Sequence, residues 1–306
     1  MFMKINNNNL DIRNYNSKEL NPFFITGFVD AEGSFMITIK KSKTNKIGWN
    51  VEAVFEICLH SKDLDILNKI QAFFGIGKIY IKSNRKEISF RVRDIKSIKN
   101  VIIPYFDKYP LRSAKSIDFK LFKECVELIS AKKHLTESGL DKIISIKSAI
   151  NWGIPKLLKE SFPNIIPIEK PLYIISEEPL NPYWISGFCE GESSFIVSIR
   201  SSDQIQSLFS ILLNERELPL LIKIQAFFNA GNINKNTSNN AVQFCISKIS
   251  NLNLTIINHF ETYSLLGAKL SNYLIWKKIV SLIVNKEHLT QEGRMKIISL
   301  KEKLNK

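Results

Sequence analysis

The stretch NPFFITGFVDAEGSF at residues 21–35 returns as NPYWISGFCEGESSF at residues 181–195, a shift of 160. Three further blocks repeat in the same order with a shift of 154: KIQAFFG (69–75) as KIQAFFN (223–229), YPLRSAK (109–115) as YSLLGAK (263–269), and KHLTESG (133–139) as EHLTQEG (287–293). Four ordered matches make the chain two copies of one domain. The six residues lost between the first two blocks place a variable loop there, because loops absorb length changes that packed elements resist. The chain has 306 residues, 44% of them hydrophobic, so each copy can bury its own core. The period far exceeds the roughly 20 to 50 residues of solenoid arrays. Two equivalent lobes are expected instead, related by an approximate twofold axis with a cleft between them.

Six of the ten prolines, at 155, 163, 167, 171, 179 and 182, fall where the copies join. The domains therefore read as an N-terminal lobe over 1–150, an extended linker over 151–180 and a C-terminal lobe over 181–306. Asn21-Pro22 and Asn181-Pro182 each put a capping side chain before a proline at the first helical position. After each motif, Phe35, Ile37, Ile39 and Phe195, Val197, Ile199 alternate with polar or small residues, the period of a half-buried strand. Second strands follow over 51–59 and 205–213, ahead of the helices ending in QAFF. Hairpins are expected at 78–82 with 88–93 and at 232–236 with 242–247. The fold class is α+β: in each lobe an antiparallel four-stranded sheet with helices on one face, in the order αββαββα.

Lys and Arg number 43 against 29 Asp and Glu, for a net charge of +14. Such a balance favours a polyanionic partner, either nucleic acid or an anionic membrane surface. Spanning a membrane needs about 20 apolar residues in a row, and the best stretch, Leu274 to Val284, is broken by Lys277 and Lys278. No membrane partner is expected. The N-terminal segment has neither the apolar centre of a secretory signal nor the look of a transit peptide, so no import route is expected. Cys58, Cys125, Cys189 and Cys245 stand far apart, suggesting neither a zinc ribbon nor a disulfide framework.

If the apolar residues of each strand face the helices, the opposite face of the first sheet carries Ser34, Met36, Thr38, Lys40, Lys78, Tyr80, Lys82, Ser89, Arg91 and Arg93. The second carries Ser194, Ser198, Arg200, Ser202, Gln204, Gln206, Asn232, Asn234, Gln243 and Ser247. Amides, hydroxyls and a few cations are the groups that read base edges in a major groove wide enough for a β-ribbon. Any one of them is also an ordinary solvated sheet residue. Over two sheets, with this net charge, double-stranded DNA is the better account.

Each motif helix holds small residues four apart, Gly27 with Ala31 and Gly187 with Gly191, and ends in an acid, Glu32 or Glu192. Packed about the twofold axis, the two helices would bring these carboxylates together, an arrangement that needs a shared cation. Asp30 and Glu190, two residues earlier, are the rival acids and read as helix-end and interface residues. His134 and His288 precede Thr136 and Thr290, which read as caps of the following helices and not as parts of a histidine nuclease. GIGKIY after Phe74 lacks the full phosphate-loop spacing, so ATP is not implied.

ITGFVDAEG (25–33) and ISGFCEGES (185–193) resemble the LAGLIDADG motif, twice, at the spacing of single-chain LAGLIDADG homing endonucleases. KIQAFF, the YPL…K segment and the HLT…G segment resemble this family too, so the likeness covers nearly the whole chain. The resemblance implies a monomer, with no obligate protein partner, that cleaves both strands of a long, nearly asymmetric DNA site and leaves 3′ overhangs. It further implies Glu32 and Glu192 as ligands of Mg²⁺, with Mn²⁺ or Ca²⁺ able to occupy the same sites. Lys115 and Lys269 would correspond to basic residues that stabilise charge on the phosphate; a solvated helix start is their equal alternative. Two departures stand out: Ser193 replaces the final glycine of the motif, and Leu59 and Leu213 stand where many relatives carry a polar residue that orders water. The family's setting is an organellar intron of a fungus or alga, commonly mitochondrial. Two alternatives share the positive surface: an RNA-splicing maturase whose partner is its host intron RNA, and a DNA-binding protein that no longer cuts.

Overall fold

The computed structural model describes residues 20–200, 204–236 and 240–304. The Asn-Pro pairs start helices as their chemistry requires. The Asn21 side chain accepts the Phe23 N–H at 2.9 Å at the head of α1 (Pro22–Glu32). Gly33 then leads directly into β1 (Gly33–Lys41), which pairs antiparallel with β2 (Trp49–His60). Helix α2 (Leu64–Phe74) follows and ends at Gly75, whose φ of 64° is left-handed. Strands β3 (Lys78–Lys82) and β4 (Glu87–Val92) complete a sheet of order β1-β2-β4-β3. Short helices α3 (Ile95–Ser97) and α4 (Ile103–Lys108) flank a π-helical turn, and α5 (Lys115–Ser130) and α6 (Glu137–Lys147) close the first copy.

The second copy repeats this order: α8 (Pro182–Glu192), β5 (Ser193–Ile199), β6 (Ile205–Asn214), α9 (Leu218–Phe228), β7 (Asn232–Asn236) and β8 (Ala241–Ile246), after the linker helix α7 (Lys156–Ser161). Its sheet has the equivalent order β5-β6-β8-β7. Helices α10 (Ile249–Asn251), α11 (Asn258–Thr262), α12 (Lys269–Val284) and α13 (Gln291–Lys301) follow. The fold is α+β, with two four-stranded antiparallel sheets. The chain divides into two compact units, Ile25–Glu178 and Pro179–Lys306 with residues through Phe24.

The same aromatic cluster fills the space between sheet and helices in each unit. Phe35 meets Phe55, Phe106, Phe119 and Phe122 at centroid distances of 5.3, 5.3, 5.1 and 5.4 Å. Phe195 meets Phe209, Phe260, Tyr273 and Trp276 at 5.6, 5.8, 5.5 and 5.1 Å. These are the duplicated positions, each buried, and their rings pack helices against sheet in both units.

Two features depart from the sequence reading. The six missing residues come from a whole hairpin and not from a loop alone: β5 has 7 residues against 9 in β1, and β6 has 10 against 12 in β2. The connecting segment, 42–48 against 200–204, loses the last two. Shortening both strands by an even number keeps every side chain on its original face, whereas an odd change would turn the apolar set outward. The linker, expected to be extended, contains α7, because KLLKES after Pro155 is a helix former that buries Leu158. It is fastened to the first unit: Lys170 pairs with Asp118 at 2.8 Å, and Arg112 donates to Ser176 at 2.7 Å. Among the described residues no helix is long and apolar enough to cross a membrane.

Candidate active site and nucleic-acid interface

Each motif helix ends in a half-buried glutamate, Glu32 in α1 and Glu192 in α8. Asp30 and Glu190 point inward and are only 4% and 6% exposed. Asp30 accepts the backbone N–H of Arg112 (2.8 Å) and Ser113 (3.1 Å) and the Ser113 hydroxyl (2.5 Å), just ahead of α5. Glu190 does the equivalent at the head of α12, accepting the N–H of Leu266 at 2.9 Å and of Lys269 at 3.1 Å. A carboxylate at a helix N-terminus satisfies orphan donors and complements the dipole. Burial raises the Glu190 carboxyl above the usual range, while the surrounding N–H groups and Lys269 pull it back. The rival acids are therefore helix caps.

Lys115 and Lys269 are the first residues of α5 and α12, where a cation opposes its own helix dipole. The conflict is resolved across the fold. Lys115 Nζ donates to the carbonyls of Val29 (2.9 Å), Ala31 (3.3 Å) and Gly33 (2.5 Å). Lys269 Nζ donates to those of Gly191 (2.7 Å) and Ser193 (2.6 Å). Each lobe thus exchanges charges between two helices: the motif helix sends an acid to the other's N-terminus and receives an ammonium at its own C-terminus. This reciprocal clasp fixes the backbone on both sides of Glu32 and Glu192. Neither lysine is an ordinary solvated helix start.

The departure at Ser193 is accommodated by its own neighbour. A Cβ added at Gly33 would stand 2.5 Å from Val29 Cγ1, so the first copy admits no side chain there without repacking. In the second copy Cys189 occupies the position of Val29, and Ser193 is buried with its hydroxyl donating to the Cys189 carbonyl at 2.7 Å. The backbone at Ser193 is extended, φ −84°, so glycine is not required. Leu59 and Leu213 pair with Ile88 and Val242, on the helix-covered side of their sheets.

Ser34, Met36, Thr38, Lys40, Lys78, Tyr80, Lys82 and Arg91 lie on the face of the first sheet opposite the core, half-buried or exposed, and Arg93, one residue past β4, reaches the Tyr80 ring on that face. Ser89 shares that face but is 2% exposed; it sits in register between Cys58 and Tyr80, whose larger side chains flank it. Its assignment as a surface contact is therefore corrected. In the second copy Ser194, Ser198, Arg200, Gln204, Asn232, Asn234 and Ser247 are exposed and Gln206 and Gln243 half-buried; Ser202 lies outside the described residues. The open face of β2 has no residue among the sequence-predicted contacts. Glu52, Glu56 and Cys58 stand on the open face of β2, in register with Thr38, Arg91 and Ser89. Ile196 and Leu212, 37% and 56% exposed, do so in the second sheet. Period-two alternation already marks them. Thr136 and Thr290 accept the N–H of Gly139 at 3.2 Å and of Gly293 at 3.0 Å, the capping roles read from the sequence.

The model of the LAGLIDADG endonuclease family matches residues 25–126 and 185–280. A probable intron-encoded endonuclease of Neurospora crassa is 42% identical over 93% of this chain and 65% of the relative. A second from the same fungus is 36% identical over 91% of this chain and 54% of the relative, so the chain spans between half and two thirds of these relatives' lengths. Among solved structures, the LAGLIDADG meganuclease I-CpaMI bound to uncleaved DNA superposes with a TM-score of 0.89 at 39% identity, over 94% of this chain and all of that one. I-SmaMI, bound to an uncleaved DNA target in the presence of calcium ions, gives 0.89 at 36% identity, over 94% and 99%. Carrying the motif twice on two copies of one sheet-and-helix lobe, the chain belongs to the LAGLIDADG endonuclease family.

Proposed function

We propose that this protein is a site-specific DNA endonuclease that hydrolyses both strands of a long, nearly asymmetric duplex and leaves 3′ overhangs. One observation carries the reading: the same carboxylate-bearing helix end, braced by the same clasp, is built twice in one chain that also carries two open sheet faces. Glu32 and Glu192 are its acids, one from each copy. Their fit to a hard divalent cation is chemical, because carboxylates and the carbonyls of a helix C-terminus are the oxygen donors that Mg²⁺, Mn²⁺ and Ca²⁺ accept. Among the described residues no three His, Cys, Asp or Glu side chains form a ready-made cage; Glu32 and Glu192 would each hold a cation through carboxylate oxygen, with water and DNA phosphate as the further oxygen donors such a cation accepts. A bound cation supplies an activated water and neutralises the leaving oxygen.

The chain's own groups do the positioning. Lys115 and Lys269 are held by backbone carbonyls, so their ammonium groups are set before the duplex arrives and cost no reorganisation when charge builds on a phosphate. The open sheet faces bind the duplex through phosphates and base edges. With both motifs in one chain, the protein acts as a monomer. Its fungal relatives, intron-encoded by name, support an organellar intron of a fungus as its setting.

Cleavage selection from a randomised duplex library, run with Mg²⁺ and with EDTA, tests the reading. Recovery of one long, weakly palindromic site with a short stagger, in Mg²⁺ alone, is expected. Affinity should also fall steeply between low and moderate salt, because many phosphates are neutralised. Enrichment by binding without any cut would contradict the endonuclease reading and make intron RNA the next ligand to test.

A further inference from the structure

The two sheet faces differ at one spot in a way the duplication makes visible. In the first copy, Glu56 on β2 and Arg91 on β4 are cross-strand partners, and Arg91 Nε donates to Glu56 Oε1. The Arg91 guanidinium also lies over the Tyr80 ring, 5.4 Å from its centroid, and Arg93 approaches the same ring at 6.0 Å. The Arg91 and Glu56 side chains are 19% and 12% exposed, while Tyr80 is 40% exposed. Residues 154 further on are Ser210, Cys245 and Asn234, in the same register. They contain no cation and no acid; Asn234 simply donates to the Cys245 sulfur at 3.4 Å.

A carboxylate on a face that binds phosphates is unfavourable unless it serves another group. Here it spends one oxygen on the inner edge of the guanidinium, and the tyrosine ring restricts the plane. Both terminal nitrogens of Arg91 remain without a hydrogen-bond partner among the described residues. A guanidinium held by Nε and presenting its two terminal nitrogens is a fork matched to the O6 and N7 acceptors of guanine in the major groove. Holding it in place beforehand lowers the entropy lost on binding.

We propose that Arg91, positioned by Glu56 and Tyr80, reads a guanine in the half-site bound by the first sheet, and that the symmetric position of the other half-site has no equivalent reader. This rests on the DNA-binding reading above. The test is selection of bound duplexes from a randomised library by the wild type, Arg91→Ala, Arg91→Lys and Glu56→Ala. The wild type should require G·C at one position of one half-site only. Arg91→Ala and Arg91→Lys should both lose that preference by roughly 5- to 150-fold, the range of a bidentate contact, with every other position unchanged. The lysine variant should keep most of its affinity, because it keeps the charge. Glu56→Ala should blunt the same position alone.

A lysine variant that retains the guanine preference, or an alanine variant that weakens all sequences equally, would make Arg91 a phosphate contact and overturn the proposal. An unchanged preference in every variant would do the same. A wild type that enriches no sequence would instead overturn the DNA-binding reading on which the proposal stands.

Discussion

Around the motif helices the two lobes differ little, and on their open faces they differ greatly. Asp30 and Lys115 have counterparts in Glu190 and Lys269: the two acids both accept the equivalent amides of Arg112 and Leu266, and the two ammonium groups both reach the equivalent carbonyls of Ala31 and Gly33 or Gly191 and Ser193. Glu56 and Arg91 correspond to Ser210 and Cys245 in the second copy; Lys82 and Glu87, an ion pair across β3 and β4, correspond to Asn236 and Ala241. The first sheet displays more charge, while the second, beside Arg200, displays amides, hydroxyls and exposed isoleucine and leucine. A duplicated frame that keeps its braces while its faces diverge suits the proposed reading of two unlike half-sites.

If the clasp is the shared brace, breaking it should damage either lobe alike. Asp30→Ala strands two backbone N–H groups and a hydroxyl, and Glu190→Ala strands the amides of Leu266 and Lys269. Each should cost about 3 kcal/mol or more, measured by urea unfolding. A loss below about 1 kcal/mol in one lobe alone would show that the brace is not common to both.

A buried polar pair sharpens the comparison through pH. In the first lobe the Thr26 hydroxyl donates to the Tyr109 carbonyl beside Tyr105; in the second, Ser186 donates to the Tyr263 carbonyl and lies 3.0 Å from His259 Nε2. Burial among Phe227, Phe228 and Phe260 lowers the His259 pKa from 6.5 to about 4. The unfolded chain therefore binds this proton more readily than the folded one. Stability from this source is full above pH 6.5 and falls by about 3 kcal/mol as pH drops to about 4. Tyr105, whose pKa burial raises from 10, has no such titration in acid. His259→Tyr should flatten the acid limb of the stability curve; an unchanged limb would contradict the assignment.

The smallest effect is expected where the two cores differ by one ring. Trp276 replaces the first lobe's Phe122, and among the described residues its indole Nε1 has no hydrogen-bond partner. Trp276→Phe gives up apolar area but also removes an unsatisfied donor, so the two terms offset and stability should stay within about 1 kcal/mol of wild type. Thermal unfolding checks this directly.

Helices, strands and the apolar faces were legible in the sequence because the duplication aligned two independent readings of each element, whereas the sheet order β1-β2-β4-β3 was not. Period two assigned the open faces, and its one failure, Ser89, came from burial by larger neighbours, which alternation does not encode. The clasp was not read. Lys115 and Val29 lie 86 residues apart in sequence, and only the oddity of a lysine at a helix start, twice, signalled that each ammonium serves another helix. Glu56 gains its meaning only from the register, which joins it to Arg91 across β2 and β4 and is not encoded in local alternation. Helix α7 was hidden by the prolines around it.

The central claim is that Glu32 and Glu192 each carry an indispensable part of the chemistry. It is tested most directly by incubating the duplex recovered from selection with wild type, Glu32→Gln and Glu192→Gln in Mg²⁺, scoring binding and linear product together. Each variant should bind the duplex with much of the wild-type affinity and make no double-strand break. Double-strand cutting by either variant at a rate near wild type would contradict the assignment.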